Sequence, residues 1–381
     1  MRWDAKYTHT QRVPGGQRGG ATKMAPRLSR RRRSPIVVRM TKPLSGIRQI
    51  AQRAGVHVST VSRVLNPQTR TMVSAEVATR ILKIANTLGY QRNTFAAGLR
   101  TRRSLTVGVI VPDLTNPLFP PIVRAIERTL GKEGYVTMLA DSGNSRETER
   151  AILDSLQARQ VDGLILATAL LQDDIVTRCQ EQNIPFVLVN RTVLDESVTS
   201  VVSNDVYGIR LAVDHLLQLG HRKLAFVGGP LNTSTAKGRR EGFISALEAY
   251  RLNVREKLVV DCPSFTVEAG AAAARELLGT ARSSFTAIVA ANDMLALGCY
   301  DALAGARLAC PGDISVTGYN DMPFADRFSP SLTTLRIPHD QIGVQSSLLL
   351  LRKMRDPDVN VPSMHLEPVL MVRGSTAGIR N

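Results

Sequence analysis

Acidic side chains are nearly missing from the front of this sequence. Asp4 and Glu76 are the two acids among the first 104 residues, against 22 Lys and Arg. Self-neutralising surface pairs are therefore excluded there, and a polyanion is the natural partner of that part of the chain. Cysteine is also scarce: Cys179, Cys262, Cys299 and Cys310 stand far apart with no CxxC pair, which excludes a zinc ribbon or disulfide framework and fits a reducing compartment. The six histidines form no ligand cluster, so no metal site is expected. No apolar run approaches the roughly 18–20 residues needed to cross a bilayer. Within the first 39 residues the best apolar stretch is Ile36-Val37-Val38, short of the roughly 7–15 residues of a secretory signal. A cytoplasmic chain without a membrane partner is expected. The motifs GxxxxGK[ST], GxSxG and HExxH are absent as well, so neither an enzyme nor a cofactor is expected.

What is present divides the 381 residues unevenly. Residues 1–39 hold eleven Lys and Arg and one acid, including Arg30-Arg31-Arg32-Arg33. They cannot bury enough apolar surface to order themselves. The stretch 1–44 reads as a disordered basic leader, because Met40-Thr41-Lys42-Pro43 has the look of a start; a DNA-gripping arm is the alternative. Residues 40–104 carry another eleven Lys and Arg and one acid, whereas 105–381 carry 27 Lys and Arg and 30 acids. A basic small unit therefore precedes a near-neutral large one.

Between residues 45 and 92 the apolar spacing is helical. Ile47, Ile50, Ala51 and Ala54 share one face, Val58, Val61, Val64 and Leu65 another, and Val77, Ile81, Leu82, Ile84, Ala85 and Leu88 a third, stopped by Gly89. From residue 105 the texture changes to short β-rich apolar runs alternating with helical stretches: 105–111, 135–140, 163–167, 185–189, 198–202, 224–227, 254–260, 287–290 and 314–318. Such alternation predicts doubly wound parallel α/β architecture, and its length suggests two lobes.

The strongest chemical signal lies in residues 47–65. Ala51 is small where two helices should touch, Gly55 supplies a turn, and Val56 and Val61 plug the gap between the helices. The second helix then presents Val58, Ser59, Thr60, Ser62 and Arg63 outward. Short hydroxyls suit phosphates and base edges, and Arg can bridge both acceptors of a guanine. An ordinary αα-hairpin would not need Thr60-Val61-Ser62-Arg63 facing solvent in so basic a unit.

Here the chain resembles the LacI/GalR family of bacterial regulators. The matching text runs from Ile50-Ala51 and Ala54-Gly55-Val56 through residues 60–66, Leu88-Gly89-Tyr90 and Asn93. It resumes at residues 107–112, Asn116-Pro117, 159–165 and Leu219-Gly220-His221, and ends with Ala291-Asn292-Asp293, residues 318–321 and Leu332-Thr333-Thr334. The resemblance implies a helix-turn-helix headpiece over 45–92, a hinge helix and linker over 93–104, and an effector-binding and dimerisation body over 105–381. That body is expected to form two periplasmic-binding-protein-like lobes, about 105–205 with 337–366 and about 206–336 with 367–381. The implied activity is effector-controlled binding of operator DNA by a homodimer, most simply a repressor. Val58, Ser59 and Arg63 fall where the family reads bases; Thr60, Ser62 and Asn66 where it touches phosphates. Asn93 opens the hinge, and Leu99 matches a wedge that pries a base step apart. His57 replaces the usual hydroxyl cap, Gly46 a usual Thr, and Arg92 a hinge proline. Ser45 is a possible substitute cap, and the loop after Asn66 looks about two residues longer than usual.

In the body, the same resemblance aligns Phe119, Asn190, Thr235, Arg239, Phe265, Asn292 and Asn320 with effector contacts, and Arg191 follows Asn190 just past a strand. Arg239 and Phe265 are expected in loops of the second lobe, Phe265 as a stacking face. Asn190 and Asn320 are amides where carboxylates are common, which admits a sugar acid as readily as a neutral sugar. Asp293 and Asp321 also stand just past strands, as cleft candidates or as caps of the helices that follow, capping being the better reading for Asp293; Asn204-Asp205 reads equally as a turn. The charge distribution yields a first expectation. Deleting residues 1–39 should flatten the slope of log K against log salt for operator and random DNA alike, since charge neutralisation of phosphates ignores sequence. The specific-to-non-specific ratio should persist; its collapse in a salt-titrated binding assay would mean that the segment reads DNA.

Overall fold

The computed structural model describes residues 46–66, 69–90, 103–281, 284–356 and 359–379. The leader expected over 1–44, together with Ser45 and the hinge residues Asn93 and Leu99, lies outside the described residues. The chain divides into two units, Met1–Arg92 and Asn93–Asn381.

The front unit holds three helices, α1 (Ile47–Ala54), α2 (Val58–Leu65) and α3 (Ala75–Thr87). Their apolar stripes meet in one small core of Ile50, Ala51, Ala54, Val61, Val64, Ala78, Ile81 and Ala85, with Val56 packed partly against it. Gly55 ends α1 in the left-handed region (φ 66°), and the Val56 N–H returns to the Ala51 carbonyl at 3.1 Å. A side chain at Gly55 would be strained there, so this glycine sets the tight turn between the helices. Gly46 stands at the start of α1 without a side-chain cap. The residues after Asn66 close the far end of α2. Thr69 Oγ1 donates to the Arg63 carbonyl and Arg70 Nε to the Val64 carbonyl, both at 3.0 Å, satisfying acceptors that a helix end leaves open.

The second unit is built on two six-stranded sheets. The first contains β1 (Thr106–Val111), β2 (Val136–Asp141), β3 (Gly163–Leu166), β4 (Phe186–Val189), β5 (Ser200–Ser203) and β11 (Met364–Leu366) in the order β11-β5-β4-β3-β1-β2. The second contains β6 (Leu224–Gly228), β7 (Val259–Asp261), β8 (Ala287–Ala290), β9 (Ser315–Asn320), β10 (Thr333–Arg336) and β12 (Val369–Met371) in the order β12-β10-β9-β8-β6-β7. All neighbours run parallel except the β10–β12 pair. Strands β3, β4 and β8 are buried at every residue, as strands covered by helices on both faces must be. The chain passes between the sheets three times: after β5, after β10, and between β11 and β12.

The helices of this unit are α4 (Phe119–Lys132), α5 (Arg146–Ala158), α6 (Asp174–Glu181), α7 (Asp205–Gln218), α8 (Ser234–Ala249), α9 (Val267–Ala281), α10 (Asp293–Gly305) and α11 (His339–Arg355). Helices α9 and α10 approach so closely that a Cβ on Gly298 would lie 2.1 Å from the Val267 carbonyl oxygen. That contact pins the start of α9 and with it the preceding loop, which carries Phe265. In each sheet the strand order reverses beside its first strand, at β1/β3 and β6/β8. Crevices outside the carboxyl ends of strands at such switch points are where open α/β sheets take ligands.

Three sequence expectations need correction. Residues 254–260 are not one strand: Glu256–Leu258 form a single 3-10 turn, and only Val259–Asp261 pair with β6. Leu258 alone of that turn is buried, so the run lacks the apolar content of an inner strand and ends the sheet as a short edge. Asp293 does not cap α10. Asn292 does, its Oδ1 accepting the Leu295 N–H at 2.8 Å. Asp293 is instead wholly buried, accepting from the Met322 N–H at 2.7 Å and from the Thr334 hydroxyl. It ties α10 to the ends of β9 and β10. Asp321 precedes no helix and pairs with Arg336 at 2.6 Å and Arg373 at 2.7 Å.

Burial raises the Asp293 carboxyl to about 7; the Thr334 and Met322 hydrogen bonds and Arg239 pull the other way, and Asp321 adds to the rise. The folded chain therefore holds a proton that the unfolded chain releases near pH 4. The resulting contribution to stability is full below that pH and is lost as the pH climbs through about 7. In urea unfolding at pH 5.5 and pH 8, wild type should lose more stability across the interval than Asp293→Asn. The same pH slope in both proteins would remove Asp293 as its source.

Candidate functional site

On the front unit, α2 offers a face without acids. Val58, Ser59 and Arg63 are exposed, while Thr60, Ser62 and Asn66 are half-buried. Arg63 makes no ion pair among the described residues. His57 itself caps α2. Its Nδ1 accepts the Ser59 N–H at 3.3 Å and lies 2.8 Å from Ser59 Oγ. An imidazole ring thus replaces a hydroxyl at the start of the helix and also fixes the Ser59 side chain.

In the second unit, one cavity of about 300 Å³ opens between the two sheets at their strand ends. Phe119, Asn190, Arg191, Thr235, Arg239, Phe265, Asn292 and Asn320, scattered over two hundred residues, all line it. Each arrives by a local device. Phe119 begins α4, and Thr235 sits in the first turn of α8, where Thr233 caps by accepting from the Ala236 N–H. Asn190 and Asn320 stand at the ends of β4 and β9 with positive φ, 66° and 111°. Asn tolerates this region better than most residues, and strained backbone of this kind collects at functional sites. Phe265 lies over Gly229, where a Cβ would fall 2.2 Å from its ring. Gly229 thus seats the Phe265 ring, and its place just after a strand is its one signal in the sequence.

Arg239 departs from expectation. It lies within α8, not in a loop, and is 3% exposed. Its Nε donates to Asp205 Oδ1 at 2.8 Å and its Nη1 to the Ala291 carbonyl at 2.7 Å, with Nη2 3.5 Å from Asn320 Oδ1. The guanidinium also stacks 3.9 Å above the Tyr319 ring centroid. Asp205, read from sequence as part of a turn, is its counter-ion, and Asn204 beside it caps α7 by accepting the Tyr207 N–H. Burial raises the Asp205 carboxyl and the Arg239 charge opposes that rise. Burial, then the neighbouring Asp205, holds the Tyr319 hydroxyl well above the usual phenol range; that hydroxyl meets Ser203 Oγ at 2.9 Å.

A second charged cluster, whose Arg146 and Glu149 also line the cavity, has no signature in the local sequence. Arg146 pairs with Glu149 at 2.6 Å, Asp173 at 2.7 Å and Asp174 at 2.6 Å. Glu149 also accepts from the Thr168 hydroxyl. Burial raises its carboxyl, partly offset by Thr168 and Arg146. Besides the Ser203–Tyr319 contact, the lobes are joined across the cleft by hydrogen bonds from Thr192 N–H to Ser234 Oγ at 2.9 Å and from Leu171 N–H to the Asn232 carbonyl at 2.8 Å. Amides, hydroxyls, two aromatic rings and charges mostly paired within the protein make a cavity for a small polyhydroxylated molecule, at the lower end of the roughly 300–1,000 Å³ of ligand pockets. Among the described residues, no group of three or more His, Cys, Asp or Glu is placed to hold a metal ion, and no helix is long and apolar enough to cross a membrane.

Comparison with known proteins accounts for both units. The profile of bacterial regulatory proteins of the lacI family matches residues 46–93. That of periplasmic binding proteins and the sugar-binding domain of the LacI family matches 104–366. The ribose operon repressor of Halalkalibacterium halodurans is 32% identical over 340 residues, 89% of this chain and 99% of that protein. The HTH-type transcriptional regulator MalR of Streptomyces coelicolor is 34% identical over 340 residues, 86% of this chain and 95% of that protein. Among solved structures, the lac repressor dimer bound to operator and the anti-inducer ONPF superposes with a TM-score of 0.78 at 28% identity, covering 88% of this chain and all of that one. A LacI family regulator from Enterococcus faecium with bound ribose gives 0.64 at 33% identity, covering 72% of this chain and all of that one. The chain belongs to the LacI family of bacterial transcriptional regulators.

Proposed function

We propose that this regulator acts as a homodimeric, cytoplasmic repressor that reads a near-palindromic operator through α2 and is switched by a sugar-type effector held between its lobes. It works by binding and not by turnover. The observation that carries the reading is the pairing, in one chain, of an acid-free helix face presenting Ser59 and Arg63 with a monosaccharide-sized cavity lined by amides, hydroxyls and two rings. Val58, Ser59 and Arg63 are assigned to bases, and Thr60, Ser62 and Asn66 to phosphates. Asn93 and Leu99 are assigned to a hinge that inserts into the minor groove when two copies meet on DNA. One headpiece reads a half-site, so two-fold protein symmetry asks for a two-fold operator. Phe119, Asn190, Arg191, Thr235, Phe265, Asn292 and Asn320 are assigned to the effector. Arg239 faces it as well, but its larger part is to hold Asp205, Ala291 and Asn320 together. Effector and operator are coupled reciprocally, commonly by about 5–150-fold.

Two substitutions test the two halves. Arg63→Ala should relax selection at one base pair per half-site, since a bidentate Arg–guanine contact discriminates by about 1–3 kcal/mol. An unchanged binding-site selection profile would refute the assignment. Phe265→Ala should weaken the effector by removing a stacking face; Arg239→Ala is less informative, because it strands the buried Asp205 without its cation. Operator titrations with and without a panel of sugars and sugar acids are the measurement. A full effector response in Phe265→Ala would move the effector site elsewhere.

A further inference from the structure

The cavity contains three arginines, and two of them are electrically satisfied from within the protein. Arg146 holds Glu149, Asp173 and Asp174, and Arg239 holds Asp205. Arg191 is different. It is 8% exposed, lines the cavity, and its Nε is buried without a hydrogen-bond partner. Among the described residues its guanidinium makes no ion pair within 4.0 Å and no hydrogen bond to a protein acceptor. Its direction is set by the backbone. Asn190 leaves β4 at φ 66° with its N–H on the Val201 carbonyl, and the Arg191 N–H turns back onto the Val189 carbonyl at 2.7 Å.

A buried cation without a counter-charge is a standing cost to the fold. Nothing in the local structure repays it. The residues beside it at the strand ends, Asn190 and Asn320, are neutral amides. Glu149 is the acid whose charge favours the Arg191 cation, but it is engaged by Arg146 and Thr168. Asp113, on the cavity wall, is engaged by Thr115 through its N–H at 2.8 Å and hydroxyl at 2.6 Å. Burial, then the nearby Arg239 charge, lowers the Arg191 guanidinium to about 10, so it stays charged at neutral pH.

We infer that the effector of this protein is a small polyhydroxy carboxylic acid, of the aldonic type, whose carboxylate pairs with Arg191. This deepens the effector reading given above and rests on it. A planar guanidinium matches the two oxygens of a carboxylate with parallel N–H donors. A neutral hydroxyl can accept from it but leaves the charge uncompensated. Phe119 and Phe265 cover the apolar face of the carbon chain, and Asn190, Asn292, Asn320 and Thr235 offer donors and acceptors to its hydroxyls. A monoanion fits better than a phosphate dianion, because one guanidinium is unpaired and the Glu149 and Asp113 carboxylates share the cavity.

The test uses the full chain and matched pairs: ribose with ribonate, galactose with galactonate, and ribose 5-phosphate as the phosphate arm, by calorimetry and thermal shift. At least one acid should bind about tenfold to hundredfold more tightly than its aldose, the range expected of one charge-assisted contact. Arg191→Met should bring the two members of the pair within about twofold. Without ligand it should melt at a higher temperature than wild type, because it removes an unpaired buried charge; this shows that the variant folds. Asn190→Asp, which supplies a neighbouring carboxylate at a position Asp tolerates, should shift preference toward the aldose. An aldose that binds as tightly as its acid, or an acid preference that survives Arg191→Met, overturns the inference and leaves the effector cleft standing. Tighter binding of the phosphate overturns the carboxylate assignment. Binding of none of these ligands overturns the inference and the sugar-type reading together.

Discussion

The Arg239 guanidinium joins parts of the second unit that are far apart in sequence. It holds the carboxylate that begins α7, the Ala291 carbonyl just past β8 and the amide that ends β9, while lying flat on Tyr319. Helix α7 is where the chain first enters the second sheet, and β9 leads into β10, from which it leaves for α11. One buried cation therefore fixes the strand ends against the first crossing and positions Asn292 and Asn320 beside the cavity. Gly208 belongs to the same arrangement, because a Cβ there would lie 2.5 Å from the Tyr319 hydroxyl. Buried ion pairs are seldom the most stabilising solution for a core, though removing one partner is costly. Here the pair sits where a hydrophobic substitute would leave the Ala291 carbonyl and the Asn320 amide without a donor.

Against that satisfied network, Arg191 and Asn190 stand out as groups the protein leaves open toward the cavity. Two buried arginines line one cavity, and they differ: Arg239 is fully partnered from within the protein, and Arg191 is not. The lobes meet at the same place through Thr192 with Ser234 and Leu171 with Asn232. A ligand that touches both Asn190-Arg191 on one lobe and Phe265 with Asn292 on the other would act directly on the geometry those two bonds report. Differential contact with two lobe arrangements is what any effector needs in order to shift an equilibrium.

Much of the site was legible in the sequence, and the misses have one character. Lining residues placed by backbone position are readable: Asn190, Arg191, Asn292 and Asn320 follow or end strands, and strand ends show as the ends of apolar runs. Residues placed by long-range partners are not. Asp205 reads locally as a turn residue, but Arg239 reaches it across 34 positions. Asp293 looked like a cap because it follows a strand and opens a helix, but its neighbour Asn292 took that role and freed Asp293 to tie α10 to β9 and β10. The Arg146–Glu149–Asp173 cluster joins two helix starts that no local pattern connects.

By itself, the sequence determined the division of labour. A segment with two acids among 104 residues can only face a polyanion or water, and its apolar spacing of three and four residues can only make short helices. Nine apolar runs alternating with helical stretches can bury themselves only as covered, mostly parallel sheets. Gly55 fixed the turn between the first two helices, since few other residues reach its backbone angles. The tertiary structure alone decided the electrostatics of the cavity. Whether an arginine is an internal strut or an open charge depends on which carboxylate lies within about 3 Å, and that is set by how sheets and helices pack, not by neighbours along the chain. Composition counted the charges; only packing paired them, and it left Arg191 unpaired.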